Sequence, residues 1–314
     1  KVYGNLLMGA QGTGGSTAIA NSWMQLRKAG AGARAMFVNA AAAKWAVPAS
    51  EISVKSGVVS HSSGKSASFA DLLADAGKIT PPAEPVFKDP KSFTLIGTQA
   101  VRRKDSQVKS DGTAVYTQDI HMPNMLTAMV AHAPLFGAKV KSFDDTEALK
   151  IKGVVKVFKI SSGVAVVAEN TWAAKKGRDA LKIDWDTSKA ETRTSAKLEA
   201  AAHALAAKPP LPVLDTGALP APGDTVKIVE GTYTLPYLAH SPMETLDAVM
   251  QVTGDRMDVW LGSQFQVKEC EAIAESAGIA KDRVTLHQQY AGGSFGRRAT
   301  FDVAFGHEAG RVAV

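Results

Sequence analysis

A strand, a helix and a second strand are predicted near the end of the chain, where the sequence reads Asp258-Val259-Trp260-Leu261-Gly262-Ser263-Gln264, then, after a helical segment, Val284-Thr285-Leu286-His287 and Gly292-Gly293-Ser294-Phe295-Gly296. The pattern predicts strands over 257–261 and 284–288 and a helix over 265–277. Glycines let a backbone approach a ligand closely and point its N–H groups at anionic oxygen. The second strand therefore leads into a loop whose composition suits ligand binding.

A second glycine-rich loop lies at the other end of the chain, where residues 10–16 read Ala-Gln-Gly-Thr-Gly-Gly-Ser. Apolar residues recur at steps of three or four over 17–45. This spacing predicts a helix that Gly30 and Gly32 could interrupt and that Ser16 or Thr17 could cap. The N–H groups and dipole at the start of such a helix favour an anionic group.

Proline-rich stretches divide the chain into five predicted segments: 1–78, a linker at 79–92, an α+β module at 93–186, a linker with a surface helix at 187–223 and a last segment at 224–314. Further strands are predicted at 52–54, 58–61, 126–132, 154–160, 164–168, 182–185, 227–233 and 247–252. Further helices are predicted at 66–76 and 170–181.

The composition argues against several classes of protein. The net charge of the 314-residue chain is +6, its basic residues form no long run, and aromatic residues make up 7%, so a nucleic-acid partner is not expected. Cys270 is the single cysteine and cannot by itself hold an iron–sulfur cluster or a cysteine-rich zinc site. No stretch approaches the roughly 20 apolar residues that span a bilayer, and no signal peptide is visible.

The spacing from Gln264 to Gly296 resembles the molybdenum hydroxylase family, which includes xanthine dehydrogenase and aldehyde oxidase. In that family a strand ends in a Thr/Ser-Gln pair, and a Gly-Gly-x-Phe-Gly loop follows one helix and one strand later. Further stretches are similar to the branch that contains the beta chain of isoquinoline 1-oxidoreductase and the large subunits of membrane-associated aldehyde dehydrogenases, namely 11–17, 112–116, 173–181 and the pair Arg297-Arg298.

The resemblance implies a multidomain α+β and α/β fold of a molybdopterin-binding subunit. Segment 93–186 would be the hammerhead domain of the aldehyde oxidase/xanthine dehydrogenase type. Segments 1–78 and 224–314 would both belong to the molybdopterin-binding domain, the first in a permuted position and the second incomplete.

The resemblance also implies which residues bind the cofactor, while none coordinates molybdenum directly. Gln264 would hydrogen-bond an oxo ligand of molybdenum, and Phe295 and Gly296 would lie against the metal. A neutral amide and a backbone N–H can stabilise charge on such oxygens without coordinating the metal. The remaining candidates are the first loop, with Gln11, Gly12, Thr13, Gly14, Gly15 and Ser16 at the pterin, and Gly292, Gly293, Ser294, Arg297 and Arg298, where the two arginines could bind phosphate.

By the same resemblance the cofactor would be a molybdopterin cytosine dinucleotide with molybdenum. The activity would be aldehyde oxidation to a carboxylic acid, with water as the oxygen source. Electrons would pass to a small [2Fe–2S] subunit, and a haem c subunit could also take part. The complex would lie on the periplasmic side of the bacterial inner membrane, with a cytoplasmic location as the alternative.

No catalytic residue is identified in the chain itself. The glutamate that acts as general base in the family lies beyond the segment that this chain matches, and Glu308 sits in no matching motif. The chain starts at Lys1 and ends without an evident tail, so we expect a fragment that is inactive alone. Ala299 stands where some relatives carry a substrate-binding glutamate, which disfavours purine-type substrates.

Several side chains and functions have a structural or an alternative interpretation. His240 and Glu244 match a family segment near the active-site wall, where we expect a structural role, and His61, His121, His132 and His287 are expected on the surface or satisfied in a core. Hydroxylation of an N-heteroaromatic such as isoquinoline or nicotinate is the alternative activity. A second alternative is a nucleotide-binding α/β domain, which would need a parallel sheet with a strand running into Gln11. A scaffold without metal is the third alternative.

Overall fold

The computed structural model describes residues 4–6, 8–99, 101–209, 211–214, 216–217, 223 and 226–314. The chain divides into two compact units, Lys1–Tyr116 with Ser263–Lys268 and Thr117–Gly262 with Glu269–Val314. Both units contain helices and strands, so the predicted mixed α and β fold class is confirmed. The proline-rich end of the second predicted linker, 220–222, lies outside the described residues.

The first unit packs a long helix and a short one against a small antiparallel sheet. Its elements are α1 (Ala18–Trp45), β1 (Ile52–Lys55), β2 (Val58–His61), β3 (Ser66–Ser68), α2 (Phe69–Ala76) and α3 (Ser106–Ser110), with the strands in the order β1-β2-β3. The core holds Ala41 of α1, Ile52, Val59 and Leu72. Hydrophobic burial of this kind is the main driving force for such packing.

Two local predictions in the first unit are corrected by the structure. Helix α1 runs without interruption through Gly30 and Gly32, because tertiary packing of one face outweighs the weak helix propensity of glycine. The helix predicted from residue 66 begins at Phe69 instead, because 66–68 pair with β2 and Ser68 then forms a capping box with Asp71.

The second unit begins with the antiparallel sheets of the predicted hammerhead region. Its elements there are β4 (Thr127–His132), β5 (Lys139–Asp144), α4 (Thr146–Leu149), β6 (Val154–Ile160), β7 (Gly163–Ala168), α5 (Thr171–Asp179) and β8 (Lys182–Asp186). The strands form one sheet in the order β4-β7-β6 and a β5-β8 pair. This unit starts at Thr117 and not at residue 93, because 93–116 contribute no strand to these sheets.

The rest of the second unit contains the predicted strand–helix–strand pattern. Its elements are α6 (Ser195–Ala206), β9 (Val249–Thr253), β10 (Arg256–Leu261), α7 (Gln266–Ala277), β11 (Val284–Gln288) and α8 (Ala304–Ala313). The start of α7, up to Lys268, belongs to the first unit. Strand β10 is central, antiparallel to β9 and parallel to β11. Met257, Val259 and Leu261 of β10 are buried in one core with Ile273 of α7. The strand predicted at 227–233 is not formed, and α8 was not predicted.

In the described part of the chain, none of the helices combines the length and the apolar character that crossing a bilayer requires.

Candidate functional site

The first loop, residues 11–16, is joined to Gln264 by hydrogen bonds in both directions. The side-chain Nε2 of Gln264 donates to the Thr13 carbonyl oxygen over 2.7 Å, and the Thr13 N–H donates to the Gln264 carbonyl oxygen over 2.8 Å. These residues are 251 positions apart in the sequence. Two elements that the family resemblance assigned to cofactor binding are therefore in direct contact within the first unit.

The aromatic ring that supports this loop was not predicted from the sequence. Phe265 lies so close to Gly12 that a Cβ atom at position 12 would stand 2.8 Å from the ring, which leaves no room for a side chain. The ring is fixed by the turn before α7, where the buried Ser263 accepts a hydrogen bond from the Phe265 N–H over 2.9 Å. Its position next to the predicted Gln264 was the one signal that the sequence offered.

The first loop presents main-chain donors that no protein group uses. Among the residues that the structure describes, the N–H groups of Gly14, Gly15 and Ser16 have no acceptor. Ser16 adopts a left-handed backbone with φ of 56° just before α1 begins. Its side chain does not cap the helix, and the Thr17 hydroxyl donates to the Gly14 carbonyl instead. Free N–H groups at a helix start suit an anionic or strongly polarised ligand.

The second loop, residues 292–296, is built in the second unit on a buried carboxylate. The Gly292 N–H donates to Oε2 of Glu244 over 2.8 Å, and the Glu244 N–H donates to the Gly292 carbonyl over 3.0 Å. A Cβ atom at position 292 would overlap the Cβ atom of Glu244, so only glycine fits. The other oxygen, Oε1, accepts from the Thr117 N–H over 3.2 Å.

Arg298 occupies a different place from the one that sequence analysis gave it. Its side chain is 2% exposed and lies 2.8 Å from Oε2 of Glu244. It also donates to the carbonyl oxygens of Gly293, Gly262 and Glu244. A guanidinium buried among four protein acceptors is not available to a phosphate, and this geometry corrects the predicted phosphate-binding role of Arg298. The neighbouring Arg297 is half-buried, and its role stays a prediction.

Phe295 stands out from the second loop. It is 75% exposed and has a φ of 53°, between Gly293 at 101° and Gly296 at 100°. A left-handed backbone is unfavourable for a bulky residue and marks candidate functional positions. Within the described residues the N–H groups of Phe295 and Gly296 have no acceptor. The assignments of Gly292, Gly293, Ser294, Phe295 and Gly296 to cofactor binding stay predictions.

The expected structural role of Glu244 agrees with this geometry. Residues 240–244 form no helix, so His240 and Glu244 are not a helical i,i+4 pair. His240 is exposed, whereas Glu244 is buried against Arg298. No group of three His, Cys, Asp or Glu side chains in the described part of the chain could hold a metal ion.

Three of the histidines are held by carboxylate partners. Nε2 of His61 lies 2.9 Å from Glu51, that of His132 lies 2.7 Å from Glu308, and that of His287 lies 2.6 Å from Asp258. His121 is exposed and lines a cleft of about 580 Å³ in the second unit.

Glu308 does not have the properties of a free general base. It accepts hydrogen bonds from His132 and from the Ser162 hydroxyl. Burial alone would raise the pKa of Glu308, but the two hydrogen bonds together with the charges of His132 and Arg297 outweigh it and lower the pKa. A carboxylate with a lowered pKa and two donors is a poor proton acceptor.

Around the first loop, the described residues do not meet the requirements of a nucleotide-binding α/β domain. In the described residues before Gln11, the only regular pairing is an antiparallel bridge between Asn5 and Ala10. The sheet of the first unit is antiparallel throughout. No parallel strand among the described residues runs into this loop.

Comparison with known proteins assigns the chain to a family. Residues 217–311 match the model of the molybdopterin cofactor-binding domain. The chain is 30% identical to the beta chain of isoquinoline 1-oxidoreductase from Brevundimonas diminuta over 95% of its length, and 29% identical to a membrane-bound aldehyde dehydrogenase from Gluconacetobacter polyoxogenes over 92%. It is 28% identical over 90% of its length to one of the subunits of nicotinate dehydrogenase from Pseudomonas putida.

The chain spans 44%, 40% and 24% of these three relatives. Among solved structures, quinoline 2-oxidoreductase from Pseudomonas putida 86 aligns with a TM-score of 0.46 at 16% identity over 63% of this chain and 31% of that one. The matched cofactor-binding domain contains the second loop with Glu244 and Arg298, and the three relatives match nearly the whole chain. The chain belongs to the molybdenum hydroxylase family.

Proposed function

We propose that this chain is part of the large cofactor-binding subunit of an oxidoreductase that converts aldehydes to carboxylic acids with oxygen from water. The observation that carries the proposal is the pair of hydrogen bonds between Gln264 and Thr13. This contact joins the first loop to the residue that the family pattern places beside molybdenum. A membrane-bound aldehyde dehydrogenase among the relatives supports the choice of substrate.

The residues present fit a molybdopterin group. At Gly12 and Gly292 a Cβ atom would collide with Phe265 or Glu244, so both loops need glycine to keep their backbone conformation. Both loops also offer main-chain N–H groups without a protein acceptor, and such groups suit the polar edges of a pterin and its phosphates. The first loop, Gln264 and the second loop would hold the cofactor, which when bound supplies the two-electron oxidation chemistry.

The protein's part in this function is to bind, orient and polarise. The N–H groups of Gly14 and Gly15 would donate to the pterin part, while the Gln264 amide and the Gly296 N–H would donate to oxygen atoms near the metal. Donors that are fixed before the reaction stabilise charge without reorganisation. The ring of Phe295 would lie against the metal, as the family pattern implies.

We further propose molybdopterin cytosine dinucleotide as the form of the cofactor and a small [2Fe–2S] subunit as the electron acceptor. A haem c subunit and a site on the periplasmic side of the inner membrane belong to the same proposal. Cys270 cannot hold a cluster alone, which is consistent with clusters on a partner chain.

The test is metal and cofactor analysis of the protein purified from its native host with the subunits that accompany it. We expect molybdenum in proportion to the chain, a pterin and cytidine monophosphate on hydrolysis. Protein that is folded and complete but free of molybdenum would reject the proposal. Adenosine monophosphate in place of the cytidine nucleotide would reject the dinucleotide form only.

A substrate panel on the same preparation separates the two activities. Hydroxylation of an N-heteroaromatic is the second candidate, because two of the relatives are named for isoquinoline and nicotinate. With an artificial electron acceptor we expect turnover of aliphatic and aromatic aldehydes. Turnover of isoquinoline or nicotinate with none of the aldehydes would favour the second candidate.

A further inference from the structure

We propose that Glu244 and Arg298 are positioning residues that hold the second loop in the conformation in which it meets the cofactor. This inference rests on the proposed function and deepens it. The two residues touch no proposed ligand themselves, and they act through the backbone of the loop.

The hydrogen bonds of the pair fix the first two residues of the loop. Glu244 accepts from the Gly292 N–H, while Nε of Arg298 donates to the Gly293 carbonyl over 2.9 Å. Nη1 of Arg298 donates to the carbonyl of Gly262, directly after β10, also over 2.9 Å. The loop is therefore tied to the end of the central strand and to the segment that carries Glu244.

Burial of the pair points to positioning and not to stability alone. The side chains of Arg298 and Glu244 are 2% and 7% exposed. Two desolvated charges gain little net stability over apolar residues of similar volume, whereas they fix geometry through directed hydrogen bonds. Arg298 donates to three separate carbonyls. An apolar side chain in its place would leave these carbonyls without their donor, and the backbone around them would no longer be fixed.

The strained residue in the loop needs such support. Phe295 holds a left-handed backbone although its side chain is 75% exposed, so burial of the ring does not fix it. Strained backbones persist where the surrounding contacts over-determine them. The contacts of Gly292 and Gly293 with the buried pair supply that constraint on one side. The hydrogen bond of the Arg298 N–H to the Ser294 hydroxyl supplies it on the other.

The key variant is the double substitution Glu244→Gln with Arg298→Met, which removes both charges and leaves neither stranded in the core. The matched control is Asp255→Asn with Arg283→Gln, an exposed pair in the same unit. Hydrogen exchange is measured at the amides of Arg297 and Ala299, whose acceptors are the carbonyls of Ser294 and Gly296 in the loop and not the altered side chains.

We expect these amides to exchange about tenfold faster or more in the key variant, with cooperative melting retained. Molybdenum per chain in the native holoprotein should fall about 10- to 100-fold. The control should match the wild type in both measurements. Arg298→Lys keeps the charge but cannot reach all three carbonyls, so intermediate values are expected.

Wild-type exchange and wild-type molybdenum content in the key variant would overturn the inference. If the key variant does not fold, Arg298→Lys decides: faster exchange at Arg297 and Ala299 supports positioning, and unchanged exchange rejects it. If the wild-type protein contains no molybdenum, the proposed function is rejected. The exchange measurement then still tests the positioning role of Glu244 and Arg298.

Discussion

At the scale of single residues, two buried glutamates in the second unit show how environment decides the behaviour of one side-chain type. Glu244 shares its carboxylate with Arg298 and two backbone donors. Glu269 in α7 is 4% exposed, and its Oε2 has no hydrogen-bond partner among the described residues. Burial, with a smaller contribution from Asp302, raises the pKa of Glu269 to about 7.

The raised pKa of Glu269 predicts a pH-dependent effect of Glu269→Gln. An acid whose folded-state pKa lies above its unfolded value binds its proton more tightly when folded, so stability falls as pH rises from 4.5 to about 7. The neutral amide removes this loss. We expect similar stability of variant and wild type near pH 4.5, and a more stable variant above pH 7 by at most roughly 3 kcal/mol.

Urea denaturation at both pH values measures this difference. The control is Glu275→Gln, which removes a carboxylate from a less buried position of the same helix. The difference in stability between Glu269→Gln and wild type should depend on pH. If it is the same at both pH values, Glu269 is not a buried, protonated carboxyl.

At the scale of elements, the strands and helices with strong local patterns were predictable. Strands β6 and β11 have the predicted bounds because apolar residues mark them in sequence. Strand β5 was missed because it alternates with lysines, contains a bulge after Val140 and pairs only with β8. Helix α8 was missed because its glycines are weak helix formers. That helix is stabilised by packing on α7, which no local pattern records.

The contact between α7 and α8 predicts opposite effects of two glycine-to-alanine substitutions. At Gly310 of α8 a Cβ atom would stand 2.6 Å from the Ile273 carbonyl oxygen, so the helices must separate. We expect Gly310→Ala to destabilise the protein by about 1–3 kcal/mol. At Gly30 of α1 nothing lies within 4 Å of a new Cβ atom. Gly30→Ala should therefore stabilise the protein by about 0.5–1 kcal/mol through helix propensity.

Thermal melting of both variants tests this pair of predictions, since each serves as the control for the other. A stabilised Gly310→Ala variant would show that α7 and α8 do not pack as closely as the structure has them. A destabilised Gly30→Ala variant would show that the exposed middle of α1 is not the regular helix described above.

At the scale of the whole molecule, the sequence indicated two loops as candidates for cofactor binding but did not predict how each is supported. The two glycine-rich loops and Gln264 were found from motif spacing. The contact of Gln264 with Thr13 joins residues that are distant in sequence, and the burial of Arg298 depends on groups at 244, 262 and 293. A basic pair after a glycine-rich loop looks the same in sequence whether it binds phosphate or backbone.

The segment 227–243 shows the same limit and leads to a last prediction. A strand was predicted over its first part, 227–233, but among the described residues no main-chain hydrogen bond involves the segment. Tyr233, Leu235 and Tyr237 are 91%, 87% and 88% exposed. Besides an alternating sequence, a β-strand needs a neighbouring strand that satisfies its main-chain hydrogen bonds.

Chymotrypsin should therefore cut this chain first after Tyr233 or Tyr237, since an exposed main chain without hydrogen bonds fits a protease cleft. Cleavage after Phe158 should be slower by orders of magnitude, because β6 is paired with β7 and must open first. Mass spectrometry of the first fragments identifies the sites, and Tyr233→Thr with Tyr237→Thr should slow the first cut. Initial cleavage within β6 or β10 would mean that 227–243 is covered in solution and that the sheets of the second unit are less stable than their pairing indicates.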